Sequence, residues 1–221
     1  MPACDADLLE LRAGPRALAH LRERGIAPAD VRAIPAAAGG PKGLALIPLD
    51  RLIAREWLPA MQRVELAGAS IGAWRMAALA QPDAIAALDR LERAYVREQN
   101  YRRNPSPAEV SATIRAVARQ VLVERRLDVR EGVSLDVLAS RARGALAGRR
   151  GRGAFARAAL ANAVARSQLA RHLERVVFHA GAPSTLDQPH DAFGLARIAI
   201  DAGNVEDALT ASGSIPIVRD P

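Results

Sequence analysis

A serine set among glycines, Gly68-Ala69-Ser70-Ile71-Gly72, is entered by the strand-like run Arg63-Val64-Glu65-Leu66-Ala67 and leads at once into the helix-like Trp74 to Gln81. A strand that reverses into a helix within a few residues belongs to a chain that alternates strand and helix, and such chains build mainly parallel sheets covered by helices. A serine on that sharp turn is held in a strained backbone conformation with its hydroxyl exposed, and the flanking glycines let neighbouring backbone and substrate come close. Ser70 is therefore the candidate nucleophile, with Gly68 and Gly72 shaping its elbow. Taken alone, the pentapeptide also arises by chance in a chain rich in Gly, Ala and Ser.

A second unit of the same kind precedes it. The apolar run Val31 to Ala38 feeds Gly39-Gly40-Pro41-Lys42-Gly43 and then the helix-like Leu44 to Trp57. First-turn N–H groups of a helix have no internal partner and, with the helix dipole, favour negative charge. Acyl transfer needs such donors for the oxyanion of its tetrahedral intermediate. Pro41 has no N–H, so the candidate donors are Gly39, Gly40, Lys42 and Gly43. An equally simple account is that Gly39-Gly40 ends a strand and Pro41 opens a helix.

Together these turns resemble the patatin-like phospholipase family, whose oxyanion loop reads roughly D-G-G-G-x-R-G and whose nucleophile lies in G-x-S-x-G. Gly39, Gly40 and Gly43 match its glycines, Lys42 stands where the family usually has Arg, and Ser70 matches the nucleophile; Ala37 and Ala38 replace the leading acid and the first glycine. A third segment extends the resemblance: Asn204 to Leu209 followed by Ala211-Ser212-Gly213-Ser214-Ile215-Pro216 is similar to the family's A-[ST]-[SG]-x-x-P helix end. By themselves Ser212 and Ser214 are ordinary turn residues; the resemblance gives them a supporting rather than a catalytic role. It implies a three-layer α/β/α fold and hydrolysis of lipid acyl esters, phospholipid or lysophospholipid, with an Asp activating the serine and no metal or cofactor. That Asp lies in a D-G-[GA] triplet beyond the third segment, whereas the chain stops at Pro221 with no Asp-Gly pair after it. The expectation is a piece of a longer enzyme, or an impaired one, with little turnover of its own. Two other readings stay open: a non-catalytic scaffold that binds anionic surfaces, and an α/β-hydrolase triad in which Asp187 and His190 serve Ser70.

The 221 residues fit one domain, 1–221, and aromatics at 3% leave the core to Ala, Leu, Val and Ile. The net charge of +7 points toward nucleic acid or an anionic membrane. Acids interleaved with the arginines, as in Asp89-Arg90-Leu91-Glu92-Arg93, describe instead a solvated face with local pairing. The aromatic stacking of single-strand nucleic-acid readers is missing, so no nucleic-acid partner is expected. Lys42 is the sole lysine and Cys4 the sole cysteine, so no internal disulfide can form. Met1 to Glu10 lacks the pattern of a secretory signal, and no stretch approaches the roughly 20 apolar residues of a span. The expected setting is cytoplasmic, with peripheral contact to a membrane.

Helix punctuation predicts Pro15 to Arg24, stopped by Gly25. After the nucleophile helix, 82–173 reads as a helical insertion: Pro82 to Tyr101, Pro107 to Arg125 with Ser106 or Asn104 as cap, Ser134 to Leu146, and Ala154 to His172, with Gly148 to Gly153 as a mobile basic linker. Strands resume at Arg175 to His179 and Ala196 to Ile200. His179, at the end of the first of these strands, and His190 are the histidines in plausible loop positions.

Overall fold

The computed structural model describes residues 12–143, 166–185 and 191–214. Within them the chain is an α/β protein built on a five-stranded sheet in the order β1-β2-β3-β4-β5, comprising β1 (Ala33–Ala36), β2 (Val64–Ala69), β3 (Val133–Ala142), β4 (Leu173–Gly181) and β5 (Leu195–Ala199). The β1–β2, β2–β3 and β4–β5 pairs are parallel and β3–β4 is antiparallel, so the sheet is mainly parallel. The β2–β3 ladder ends at Ala69 and Leu138, whereas β3 continues against β4 as far as Ala142 opposite Leu173.

The helices are α1 (Pro15–Arg24), α2 (Ile47–Leu52), α3 (Ile71–Leu79), α4 (Ala84–Arg93), α5 (Pro107–Val121) and α6 (Val205–Ser212). Their ends follow local chemistry. Gly25, at φ 71°, closes α1 with its N–H on Leu21; Ser106 caps α5 by accepting from the Glu109 N–H; Asp83 caps α4 through the Ala86 N–H. Between β1 and β2 the expected single helix starts earlier, as a 3-10 turn over Gly40–Leu46, passes through α2, and ends in a π turn over Ile53–Trp57. Pro41 and Pro48 sit in the first turns of these pieces, where a missing N–H is harmless but the repeat is reset.

Two readings of the sequence are overturned. The segment expected as a helix over Ser134 to Leu146 contains β3, the middle strand of the sheet, so 82–173 is not uniformly helical. Val133, Ser134, Leu135, Asp136 and Val137 are all buried, because helices cover one face of β3 and a polar network occupies the other. His179 is likewise a strand residue of β4 rather than a loop residue. The strands expected at Arg175 to His179 and Ala196 to Ile200 are present as β4 and β5. Ala154 to Ala165 and the Gly148 to Gly153 linker lie outside the described residues, and Arg166–Arg171 forms a 3-10 turn.

The core lies between one sheet face, carrying Val64, Leu66, Val133, Leu135 and Val137, and the apolar sides of α3, α4, α5 and α6. Helix α3 is buried along its whole length, from Ile71 to Leu79. Even its one charged residue is buried: Arg75 makes a bidentate pair with Asp50 of α2, at 2.6 and 2.7 Å. Burial pushes the Asp50 carboxyl above its ordinary value, with the Arg75 hydrogen bond and charge opposing. The pair fixes the segment after the glycine loop against the helix that starts at Ser70.

Candidate active site

Ser70 connects β2 to α3 at φ 55° and ψ −129°. A non-glycine residue in this region stores on the order of 1–3 kcal/mol of strain and persists only where its surroundings over-determine it. The surroundings here are backbone on backbone. A Cβ on Gly68 would stand 2.5 Å from the Gly72 carbonyl carbon and 2.6 Å from the Ala73 nitrogen. A Cβ on Gly72 would stand 2.7 Å from both the Ala36 carbonyl carbon and the Ala37 oxygen, and closer still to the Ala36 oxygen. The two glycines are thus required by close approach: Gly68 lets the strand end pass under the first turn of α3, and Gly72 lets that turn sit on the end of β1.

The same contacts unite the two glycine turns. β1 and β2 are parallel with Ala36 opposite Gly68, so Gly39 to Gly43 emerges at the same end of the sheet as Ser70. Buried Gly43 packs on Ile71, the residue after Ser70; a Cβ there would lie 2.6 Å from Ile71 Cγ2. Gly40 takes φ +54°, which glycine adopts freely, and Lys42 is exposed. Ligands of parallel α/β sheets bind at this carboxyl end of the strands.

A hydroxyl from the far end of the chain completes the elbow. Ser212, in the last turn of α6 rather than in a loop, accepts the Ser70 N–H at 2.9 Å and donates to the Leu138 carbonyl at 2.7 Å. Trp74 Nε1 donates to the Leu209 carbonyl at 2.9 Å, tying α3 to α6 a turn earlier. Ser214 Oγ donates within its own segment to Thr210 and does not reach Ser70. Ile215 and Pro216 lie outside the described residues.

Among the described residues no hydrogen bond is made to the Ser70 hydroxyl. Asp187 and His190 lie outside them. Asp201 Oδ1 accepts the Gly203 and Asn204 N–H groups, organising the turn into α6. A second cluster, not foreseen from the sequence, lies on the other face of the sheet. Buried Asp136 of β3 bonds His179 Nδ1 at 2.7 Å and accepts from Ser184 Oγ at 2.9 Å. The one Ser184 hydrogen is shared with Glu65 of β2, at 3.0 Å, and Glu65 also accepts from the Thr185 N–H and hydroxyl. His179 is two strands from β2 and level with Ala67, so strand spacing and rise put it on the order of 14 Å from Ser70. It cannot act as the base there, and the network instead anchors the loop after β4. The signal for it was the alternation Val133-Ser134-Leu135-Asp136-Val137, which puts Ser134 and Asp136 on one face of a strand.

A cleft of about 250 Å³, lined by Gln81, Pro82, Asp83, Arg90, Val123, Arg126 and Asp128, opens at the opposite end of α3 from Ser70. It is not part of this site. The described residues contain no group of three or more His, Cys, Asp or Glu that could hold a metal ion, and no helix among them is long and apolar enough to cross a membrane. Compared with family models, with curated proteins and with solved structures, the chain finds no match in any of the three.

Proposed function

We propose that the chain is a serine acyl hydrolase of the patatin-like type, with a three-layer α/β/α fold, acting on lipid esters. The observation that carries this reading is Ser70 at φ 55° on a strand-to-helix elbow that packs directly against the glycine loop. In the reaction Ser70 Oγ attacks the ester carbonyl carbon while its proton passes to a base. The carbonyl electrons collect on an oxyanion held by N–H groups among Gly39, Gly40, Lys42 and Gly43. Collapse of the intermediate expels the alcohol, which takes up the proton, and water then releases the acid from the acyl-enzyme. The resemblance assigns the base to an Asp of a D-G-[GA] triplet beyond the Ala211 to Pro216 segment, which the 221 residues do not contain.

Lipid is favoured as substrate by the surface beside the loop. Leu46, Leu49 and Leu52 follow Gly43 at helical spacing and are 46%, 44% and 50% exposed, with Lys42 at one end and Arg55 at the other, both exposed. Apolar residues in a row beside cations suit an anionic lipid surface. The scaffold reading is favoured by one observation, the absence of a base bonded to the Ser70 hydroxyl among the described residues.

The test is to treat the chain and Ser70→Ala with a fluorophosphonate probe and a short chromogenic ester. The expected result is an adduct mapped by mass spectrometry to Ser70, with any turnover lost in the variant. An adduct on another residue, or turnover that survives Ser70→Ala, overturns the assignment; no adduct favours the scaffold.

A further inference from the structure

We propose that Ser212 is the positioning residue of Ser70: its hydroxyl holds the strained elbow in place and takes the Ser70 amide out of the set of oxyanion donors. This rests on Ser70 being the nucleophile. The β2–β3 ladder stops at the Ala69 and Leu138 pair, and at the next residue the chain turns into α3. The Ser70 N–H and the Leu138 C=O both face the gap that the turn leaves. Ser212 Oγ fills it, with a bond of 2.9 Å from the Ser70 N–H and one of 2.7 Å to the Leu138 C=O.

A serine hydroxyl has one hydrogen and two lone pairs. A backbone N–H can only donate and a carbonyl can only accept, so the direction of both bonds is fixed: Ser212 relays a ladder bond across the break. No other polar group among the described residues bonds the Ser70 amide. That amide is therefore already satisfied by the protein, which leaves an oxyanion to other donors such as the N–H groups of the glycine loop and of Ile71 in the first turn of α3.

The relay works only if α6 is held still. Three contacts do this: Trp74 Nε1 on the Leu209 carbonyl, Arg119 Nε on Glu206 at 2.7 Å with Arg125 on its other oxygen at 3.2 Å, and Arg115 on Asp207 at 3.1 Å. The residues of α6 that face α5 and α3 thus set the position of a hydroxyl that touches the nucleophile's own backbone.

Threonine keeps the hydroxyl on the same carbon, whereas valine has threonine's shape without it and alanine removes the group altogether. On the intact chain, the second-order rate of fluorophosphonate labelling at Ser70 is measured for Ser212, Ser212→Thr, Ser212→Val and Ser212→Ala, together with hydrogen exchange of the Ser70 amide. The expected result is labelling within about threefold of the parent for threonine and slower by about tenfold or more for valine and alanine. Exchange at Ser70 should be slow in the parent and threonine forms and fast in the others. Equal labelling in all four overturns the proposal, and so does fast Ser70 exchange in the parent, which needs no variant to fold. Should the parent not label at all, the nucleophile reading fails, while the exchange comparison still decides whether Ser212 holds the elbow.

Discussion

Adding one methyl group at Gly72 should disable the site through backbone geometry alone. The new Cβ of Gly72→Ala would lie 2.7 Å from the Ala37 oxygen and the Ala36 carbonyl carbon, whereas a carbon meets a carbonyl oxygen at about 3.3 Å or more. The elbow and the end of β1 must then separate by more than half an ångström. None of the clashing atoms belongs to a flexible side chain that could swing away. Overpacking of this kind costs about 1–3 kcal/mol, and the gain in helix propensity from Gly to Ala, at most about 1 kcal/mol, acts in the opposite direction. The net expectation is a loss of about 1–2 kcal/mol, a fall in melting temperature of roughly 2–8 °C for a chain of this size. Catalytic geometry should suffer more, because a misplacement near 1 Å costs about a hundredfold; Ser70 labelling should slow by roughly tenfold to a hundredfold. Thermal unfolding by circular dichroism and the fluorophosphonate rate are read side by side. Gly194→Ala serves as control, since its nearest neighbour would be at 3.6 Å, and it should stay within about 0.5 kcal/mol of the parent. A Gly72→Ala protein that melts higher than the parent and labels at the same rate would refute the close approach.

Acid should loosen α6. The Arg119 hydrogen bond holds the Glu206 carboxyl below its ordinary value, with burial opposing and the charges of Arg119, Arg125 and Arg115 assisting; its share of stability is complete above the ordinary glutamate range and is lost as pH falls through the lowered value. Urea unfolding of the parent and Glu206→Gln should therefore show a gap at pH 7 that closes in acid, and a pH-independent gap would contradict this. For the Asp50–Arg75 pair, Asp50→Leu alone should cost about 3–5 kcal/mol by leaving a buried guanidinium unpaired, while Asp50→Leu with Arg75→Met should recover most of it. Equal losses in the single and double variants, measured by denaturant unfolding, would show that Arg75 finds another partner.

The elements legible in the sequence were those with local punctuation. Pro15 and Gly25 bound α1, Ser106 and Pro107 start α5, and the two glycine turns each follow an apolar strand. β3 was not legible as a strand because Leu135, Leu138, Ala139, Arg141, Ala142 and Arg143 are good helix formers, and only pairing with β2 and β4 decides between the two states. Pairings across distant segments were equally hidden. Asp136 and His179 are 43 residues apart, and Ser70 and Ser212 are separated by 142. Nothing local marks Ser212 as the partner of the elbow, although the motif around it drew attention to the segment. The interleaved charges were read correctly as pairing but not along a helix: Asp89 and Glu92 of α4 bind Arg51 of α2.

The unequal lengths of the strands make the surroundings of Ser70 lopsided. β2 stops at Ala69, opposite Leu138, but β3 and β4, with β5 alongside as far as Arg175, run on together to Ala142 and Leu173, a ribbon reaching about 14 Å past the end of β2. Near its tip Glu174, only 6% exposed, is gripped by Arg141 and Arg143, which stiffens the ribbon where a free pair of strands would sway. On the other flank, among the described residues, stands the glycine loop that follows β1. Among the described residues the approach to Ser70 is therefore walled on the β3 side and low on the β1 side.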